Sequence, residues 1–410
     1  MAMVNPRVSL SETLLSSSAA KDPVTTPLFI AYTLVPAESV NRMQPVSVAS
    51  LTQAESLFGN SGTLAYSLRH FFENGGLGCY VLSLGMGVQD SFVRVKALVT
   101  ALQSQEVQEA VTAELYSGLL LAPELSELND VTEGSASEIS SLWYQGWTAL
   151  LQLSSTAAQR FALLELPDEP ARATALCQAS FSADLCQNGA AWWPRLETRY
   201  LVSSANDMEY RLLSPLPAVA AVIQKSAGIN GVWKAPANIP LIKTLRPVAN
   251  ILQSQVLLGT KGIYANPIRS FTGKGVRMWG CRTLLNDEAS PWRYIQTRLL
   301  ANSVERQLSK LARVFLFEPN NARTWMKLKG QAWTWLRQQW LGGAFFGTTE
   351  EEAFTLSIGL NESMTADDIR AGKMILRVRL ALMAPAEFID ISLTLDMRGS
   401  SALAVSGSAS

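Results

Sequence analysis

The amino-acid sequence predicts a mixed α/β protein, and three features of its patterning support this fold class. Between residues 28 and 85, apolar runs typical of buried strands alternate with segments of helical periodicity, an order that favours a sheet covered by helices. The last third of the chain contains two long amphipathic segments. Short stretches of alternating apolar and polar residues, typical of half-buried strands, lie near both ends. We therefore predict an α/β body with a strand-bearing arm at each terminus.

Most of the predicted body comes from the first two thirds of the chain. Buried strands are predicted at residues 28–33, 45–51, 79–85, 118–123, 161–168, 190–194 and 218–223. A helix over 61–73 is predicted to end at Gly75. Another helix is expected to begin at Thr52, since Glu55 follows at capping-box spacing. Apart from its strand, the section 86–160 has a mostly helical pattern.

The last third of the chain shows the strongest periodicity. Helices are predicted over 294–312 and over the tryptophan-rich stretch 325–344, and a strand over 314–320 lies between them. Residues 374–382 alternate apolar side chains with arginines, which predicts a half-buried strand. A final strand follows Pro385, because apolar residues again occupy every second position: Ile389, Ile391, Leu393 and Leu395.

The two terminal strands lack an evident partner within their own arms. Near the N-terminus, Val8 and Leu10 alternate with serines, and a linker-like stretch over 16–22 follows. An edge strand with an unpaired backbone must pair with something else. We therefore predict strand exchange between copies of the chain, carried by six apolar positions: Val8, Leu10, Ile389, Ile391, Leu393 and Leu395.

Composition argues against several functional classes. The 410 residues include 34 Lys and Arg and 34 Asp and Glu, so no global positive charge favours nucleic acid or an anionic membrane. No window approaches the roughly 20 apolar residues of a membrane span, and the N-terminus lacks the pattern of a secretory signal. Charged residues make up only 17% of the chain, which suggests that some surface is buried against other subunits.

Catalytic and cofactor chemistry is poorly represented. His70, the one histidine, lies in an aromatic helix and is expected to pack rather than react. The widely spaced Cys79, Cys177, Cys186 and Cys281 are expected to be reduced thiols. Without clusters of Cys and His, a metal site is not expected. The Gly-rich stretch 271–280 lacks phosphate-loop spacing and is interpreted as a turn between strands. We predict no catalytic, cofactor or metal site.

Two acidic runs have a structural explanation. Glu350–Glu352 follow Thr349, and Asp367 and Asp368 follow Thr365. Negative side chains in the first turn of a helix favour its dipole, so both runs are expected to cap helices rather than form a carboxylate pair. Three tryptophans of the predicted helix 325–344 are expected to lie in the core or at an interface: Trp333, Trp335 and Trp340.

Seven stretches together resemble the contractile tail sheath family of phages, pyocin-like particles and extracellular contractile injection systems. The GVWKAPAN stretch is the most specific, and the NPIRSFTGKGVRMWGCRTL stretch resembles the family's strand pair rich in arginine and glycine. The resemblance runs from about residue 24 to 395, whereas the N-terminal NPRVSLSE departs from the family pattern. The matching stretches occur in order at residues 68–85, 231–238, 266–284, 292–306, 317–321, 362–373 and 384–393.

The resemblance implies a two-domain sheath protomer whose terminal arms add strands to neighbouring subunits. Such a subunit would polymerise as stacked hexameric rings around an inner tube and contract from a metastable state to drive the tube through a target envelope. The implied parts are an N-terminal arm (1–25), an outer α/β domain (26–283) with a variable section (86–214), an inner sheath domain (284–384), and a C-terminal strand arm with its tail (385–410).

The resemblance also implies partners: copies of the chain, sheath paralogues, the inner tube protein, and baseplate and terminator proteins. Assembly is expected in the bacterial cytoplasm, followed by release in a virion or extracellular particle. The helix within 364–373 would face the tube through Asp367, Asp368, Arg370 and Lys373, although a solvated helix face explains the same residues. Two rival functions remain, namely another structural baseplate or tube-associated component and, less favoured, an α/β enzyme.

Overall fold

A computed structural model describes residues 22–34, 41–156, 159–203, 208–249, 262–382 and 388–396. The helices are α1 (Leu51–Phe58), α2 (Gly62–Glu73), α3 (Ser91–Leu102), α4 (Gln105–Ala113), α5 (Ala136–Thr156), α6 (Pro170–Cys177), α7 (Ala183–Cys186), α8 (Leu216–Asn230), α9 (Ile295–Arg313), α10 (Ala322–Leu341), α11 (Glu350–Ala353) and α12 (Ala366–Arg370). Short 3₁₀ helices span Pro23–Thr25, Pro123–Asn129 and Pro291–Arg293.

The strands form one large sheet and two small ones. They are β1 (Pro27–Thr33), β2 (Pro45–Val48), β3 (Cys79–Met86), β4 (Leu119–Leu121), β5 (Phe161–Glu165), β6 (Gly189–Trp193), β7 (Leu196–Ser203), β8 (Met208–Leu213), β9 (Ile239–Pro240), β10 (Thr244–Pro247), β11 (Ala265–Phe271), β12 (Gly275–Met278), β13 (Phe354–Ser357), β14 (Lys373–Ala381) and β15 (Phe388–Asp396). The prediction of a mixed α/β fold is confirmed.

The large sheet is the centre of the body. Its nine strands run in the order β2-β3-β1-β4-β5-β6-β11-β12-β9, and the six from β3 to β11 pair in parallel. Successive residues of β1 enter opposite cores: Leu28 and Ile30 pack on one face and Phe29 on the other, each fully buried. A strand buried on both faces reads as a continuous apolar run, which is why the sequence revealed it.

The apolar run 218–223, predicted as a strand, is part of helix α8. Nine consecutive residues from Leu216 to Gln224 are buried, since this helix packs against the sheet and against α2. A helix enclosed on all sides has no polar face, and its apolar run then looks like a buried strand. The helix contains Pro217 in its first turn and ends at Gly231, whose φ is +87°.

Two further local predictions are wrong. Residues 314–317 form turns after α9 rather than a strand, and Val314 and Phe317 are 69% and 88% exposed. Helix α1 begins one residue before the predicted Thr52. Its cap is Ser50, whose hydroxyl accepts the Gln53 N–H at 3.2 Å. A serine in the N-cap position supplies the acceptor that the predicted Thr52–Glu55 box was expected to provide.

The predicted turn within 271–280 is confirmed. It joins antiparallel β11 and β12, and the Lys274 N–H donates to the Phe271 carbonyl at 3.0 Å. Gly273 and Gly275 both have φ of +72°, and a Cβ added at either one would meet open space. Glycine is therefore favoured here for its backbone conformation rather than for lack of room.

The C-terminal unit has its own core, in which α9 and α10 pack on the sheet β13-β14-β15. Helix α9 contributes to two cores: Leu299 packs with the body, whereas Val304 and Leu308 pack with the C-terminal sheet. At the start of the described chain, Val24 is buried in the body core, and Asp22 accepts a 3.0 Å hydrogen bond from Ser303 of α9. The domain boundaries drawn from the sequence stay predictions.

Candidate assembly surfaces

Strand β14 presents two chemically different faces. Met374, Leu376 and Val378 are fully buried against α9 and α10, whereas Arg377 and Arg379 between and beyond them are exposed. The predicted half-buried strand is thus confirmed. Because of this alternation, one face of the strand is buried against the helices and the other face is charged and exposed.

The C-terminal strand has a partner in its own subunit, contrary to the expectation that it would find one only in adjoining copies. β15 pairs antiparallel with β14 along its whole length, with Leu393 opposite Leu376 and Ile391 opposite Val378. Equal alternation in two consecutive strands allows this hairpin-like pairing. The other two predicted exchange positions, Ile389 and Leu395, lie opposite Leu380 and Met374 in the same register.

β15 is nevertheless an edge strand among the described residues, since the sheet order ends with it. Its other side is a template for a further strand. Exchange between subunits stays a prediction. The N-terminal positions of that prediction, Val8 and Leu10, lie outside the described residues.

The four residues predicted to face a tube lie together at α12 and the start of β14. Asp367, Arg370 and Lys373 are exposed, and Arg370 forms an ion pair with Asp367. The Asp368 carboxylate is already used within α12, since it accepts hydrogen bonds from the Thr365 N–H and hydroxyl at 3.0 and 2.8 Å. These hydrogen bonds hold the pKa of Asp368 below its usual range. Asp367, Arg370 and Lys373 therefore form the charged surface here.

Both acidic runs cap helices, as predicted. Thr349 and Glu352 form a capping box at α11, and Thr365 and Asp368 form one at α12. Glu350 is also paired with Arg337 of α10 at 2.6 Å. Glu350, Glu352 and Asp368 thus have structural partners, as a capping role predicts.

The tryptophans of α10 divide between core and surface. Trp335 and Trp340 are half-buried against the C-terminal core. Trp333 is 40% exposed, with the Arg337 guanidinium 5.3 Å from its ring centre. The fully buried stripe of α10 is narrow and consists of four residues at helical spacing: Thr324, Leu328, Ala332 and Leu336. Most of this helix surface is therefore not buried by the described residues.

Parallel sheets bind ligands where the strand order reverses, and here that point lies between β1 and β4. The crevice contains buried Arg94 and Glu124, and Arg94 pairs with Glu127 at 2.5 Å. Glu124 accepts the Tyr32 N–H at 3.0 Å, while burial raises its pKa to about 8. Sequence reasoning missed this network because Tyr32, Arg94 and the segment 124–127 lie 30 or more residues apart along the chain. The crevice thus contains charged side chains of the chain itself, paired with one another.

A second polar cluster lies at the end of β5. Arg195 contacts the carboxylates of Asp130 and Asp168 at 2.6 and 2.7 Å. Glu165 is buried nearby, and this burial raises its pKa to about 8 although Ser214 and Arg195 act in the opposite direction. The paired charges explain how the body accommodates an arginine that is almost fully buried.

The single histidine packs in the core, as predicted. His70 Nδ1 lies 3.2 Å from the Tyr200 hydroxyl, and burial lowers the pKa of His70 to about 4. Cys79, Cys177 and Cys186 are buried, whereas Cys281 is half-buried. Across the part of the chain that the structure describes, no group of three His, Cys, Asp or Glu residues could hold a metal ion. Within the same ranges, no helix is long and apolar enough to cross a membrane.

The chain is similar to chains of solved structures. No protein-family model matches the chain, and no curated protein matches it either. A chain in the cryo-EM structure of the anti-feeding prophage (AFP) baseplate in the contracted state is 65% identical, with a TM-score of 0.82; the match covers 97% of this chain and 100% of that one.

Two sheath structures are more distant. A chain of the AFP helical sheath in the contracted state is 25% identical, with a TM-score of 0.66 and coverage of 94% and 98% of this chain and that one. A chain of an extracellular contractile injection system, the PVC sheath complex in the contracted state, is 25% identical, with a TM-score of 0.68 and coverage of 94% and 97%. Each similarity extends over nearly the whole of both chains.

Proposed function

The chain belongs to the contractile tail sheath family, and from that premise we propose that it is a structural subunit of a sheath that contracts around an inner tube. Copies would form stacked hexameric rings, and contraction from a metastable extended state would drive the tube through a target envelope. The observation that carries the proposal is the 65% identity, over 97% of the chain, to a protein of a contracted particle.

The C-terminal sheet offers a physical means of joining subunits. Main-chain pairing at a sheet edge provides strength without specific side-chain chemistry. Since β15 pairs with β14 through regular antiparallel register, the same register could form with β14 of a neighbouring copy, as in domain swapping. An arm exchanged in this way would hold subunits together while the bodies move.

Stored conformational energy would drive the contraction. A gap of about a few kcal/mol between two states of one subunit is typical of proteins, and it becomes large when many coupled copies change together. The proposed role needs no catalytic step. In support, the crevice between β1 and β4, where a parallel sheet would bind a ligand, contains the ion pair of Arg94 and Glu127 at 2.5 Å.

The charged surface at α12 is proposed to contact the inner tube. Arg370 and Asp367 pair with each other and have side chains that are 77% and 83% exposed. Exposed ion pairs are worth at most about 1 kcal/mol, so contacts made through them would break easily when the sheath leaves the tube.

A finer proposal concerns position in the particle. The AFP baseplate chain is 65% identical to this one, whereas the AFP helical sheath chain is only 25% identical. We therefore place this chain in the sheath layer next to the baseplate rather than along the repeating shaft. This proposal reconciles the sheath function with the alternative of a baseplate component.

The experiment is electron microscopy in two stages. Purified protein should form rings or striated hollow cylinders in negative stain, and persistent monomers would contradict the sheath function. Intact particles should then be gold-labelled through a tag on this chain. Gold at one end of each particle supports the baseplate layer, whereas gold along the whole shaft contradicts that placement and leaves the sheath function standing.

A further inference from the structure

A groove of about 750 Å³ lies between α9, α10 and the segment that follows α4. At its rim, Leu115 and Tyr116 are 51% and 63% exposed. Trp335 and Gln339 line it from α10. Large apolar side chains exposed beside a concave surface are typical of a binding groove.

The groove has an excess of positive charge. Four cationic side chains line it, against the two carboxylates of Asp22 and Glu114. The cations are Arg160, Arg306, Lys310 and Arg313. Arg160 and Arg306 donate hydrogen bonds to main-chain carbonyls within residues 111–117. Among the described residues neither guanidinium forms an ion pair, although Asp22 and Glu114 lie near enough to Arg306 to interact with it electrostatically. The four cations still outnumber the two carboxylates of the groove.

A complementary feature occurs at the turn over residues 346–352, called the acidic turn below. Glu350, Glu351 and Glu352 lie on it, and within the described part of the chain only Glu350 pairs with a cation, Arg337 at 2.6 Å. Glu351 is exposed and forms no ion pair within the described ranges. Phe346 at the start of the turn is 65% exposed. The acidic turn thus combines an excess of two negative charges with an exposed aromatic ring.

The groove and the acidic turn cannot satisfy each other within one subunit. Trp335 and Gln339, which line the groove, are four residues apart and share a face of α10. Arg337, which holds the acidic turn through Glu350, is two residues from each. At roughly 100° per residue it points to the opposite side of the helix. Complementary patches on opposite sides of one element favour head-to-tail contact between copies.

We propose that the acidic turn of one copy docks in the groove of a second copy. Glu351 would enter beside Lys310 and Arg313, and Phe346 would cover Leu115 and Tyr116. Because the contact is heterologous, it closes into a ring when the rotation between copies is a whole fraction of a turn. This inference rests on the proposed function as a self-assembling sheath subunit and adds a specific contact to it.

The test is a charge swap in the full-length protein. Lys310→Glu and Glu351→Lys are made separately and together, with Lys274→Glu as control because Lys274 is exposed on the distant β11–β12 turn. The protein concentration at which half the material sediments as rings or cylinders is measured. Each single change should raise it about tenfold or more, which corresponds to about 1.4 kcal/mol. The double variant should return to within about threefold of wild type.

Several results would overturn the contact. The contact is contradicted if both single variants assemble at the same concentration as wild type. It is also contradicted if the double variant needs as high a concentration as the worse of the two single variants. A Lys310→Glu chain whose monomer melts earlier, matching a chain that lacks residues 1–20, would indicate that the protein's own N-terminal segment fills the groove. If wild type and Lys274→Glu form no assemblies at all, the proposed function itself fails, and that outcome differs from each of the others.

Discussion

The body and the C-terminal unit use β-structure in different ways. Strand β1 of the body buries successive residues such as Leu28 and Phe29 on opposite faces, so the sheet is covered by helices on both sides. Strand β14 buries Leu376 but exposes Arg377, and among the described strands its sheet ends at β15. A sheet covered on both faces has no face left to bury against other copies. A sheet with a charged face and an open edge has surface left for other copies.

Several charged residues of the two regions differ in the same way, although α9 also carries the buried ion pair of Arg298 and Glu305. In the body, Arg94 and Arg195 are nearly fully buried and each contacts a carboxylate. In the C-terminal unit, charged side chains such as Lys310 and Glu351 are exposed. Removing one member of a buried ion pair strongly lowers stability, whereas exposed charges can change partners at little cost in free energy. The comparison therefore assigns stability to the body and association to the C-terminal unit.

Removing the C-terminal strand should have the largest effect on assembly. A chain truncated after Pro385 loses β15 but keeps the body cores, so we expect a folded monomer that forms no cylinders. Circular dichroism and thermal melting report the fold, and sedimentation with negative stain reports assembly. A chain truncated after Arg398 keeps the strand and is the matched control. Normal cylinders from the shorter chain would refute strand exchange and remove the distinction drawn between the two regions.

Two tryptophan substitutions sharpen the comparison. Trp147 is fully buried in the body, and its indole N–H donates to the Glu165 carbonyl at 2.9 Å. Trp147→Ala should lower the free energy of unfolding by about 3–5 kcal/mol because it leaves a cavity. Trp333 of α10 is 40% exposed, so Trp333→Ala should change it by less than about 1 kcal/mol.

Urea unfolding of the monomer measures both tryptophan variants. If Trp147→Ala and Trp333→Ala lower the free energy of unfolding equally, the surface of α10 contributes as much to stability as the core of the body. A loss of assembly from Trp333→Ala without loss of stability would instead strengthen the assignment of α10 to contacts between copies.

The buried carboxyl of Glu165 makes the body sensitive to pH. Burial raises its pKa from 4.5 to about 8. The folded chain thus keeps a proton that the unfolded chain releases, and the free energy of unfolding falls as pH rises across this window. Glu165→Gln should abolish that fall. Between pH 5 and pH 8 the difference should reach about 3 kcal/mol, from about 1.4 kcal/mol per pKa unit.

Chemical unfolding at several pH values tests the Glu165 prediction. The variant and wild type should have similar stability near pH 5 and diverge towards pH 8, with the variant more stable. Asp368→Asn is the comparison from the C-terminal unit, because the pKa of Asp368 is lowered rather than raised. Parallel pH profiles for wild type and Glu165→Gln would mean that Glu165 is ionised in the folded body.

Periodicity in the sequence identified the strands whose burial alternates or is complete, such as β1, β3 and β14, and it identified both long C-terminal helices. It failed at 218–223, because a helix enclosed by α2 and the sheet has the apolar run of a buried strand. It also could not tell whether the final strand pairs within or between subunits, since alternation specifies a face and not a partner.

The groove could not be predicted from sequence. Its residues come from five separate stretches, which lie near residues 22, 115, 160, 310 and 337. None of them forms a motif, and Arg160 looks like an ordinary residue before a buried strand. Only the fold brings these positions together. The acidic turn, by contrast, is a visible run of glutamates, but its capping role alone explained it until the groove supplied a complementary charge.

The smallest expected effect concerns α12 and the proposed tube contact. The Thr365 hydroxyl caps the Asp368 N–H at 3.2 Å, and loss of such a cap costs about 1 kcal/mol. Thr365→Ala should therefore speed hydrogen exchange in residues 366–370 several-fold without changing global unfolding. Thr365→Ser keeps the hydroxyl and is the control. If α12 contacts the tube, Thr365→Ala should also weaken binding of the sheath to tubes in sedimentation, whereas equal binding with faster exchange would indicate a solvated helix that serves only the subunit's own fold.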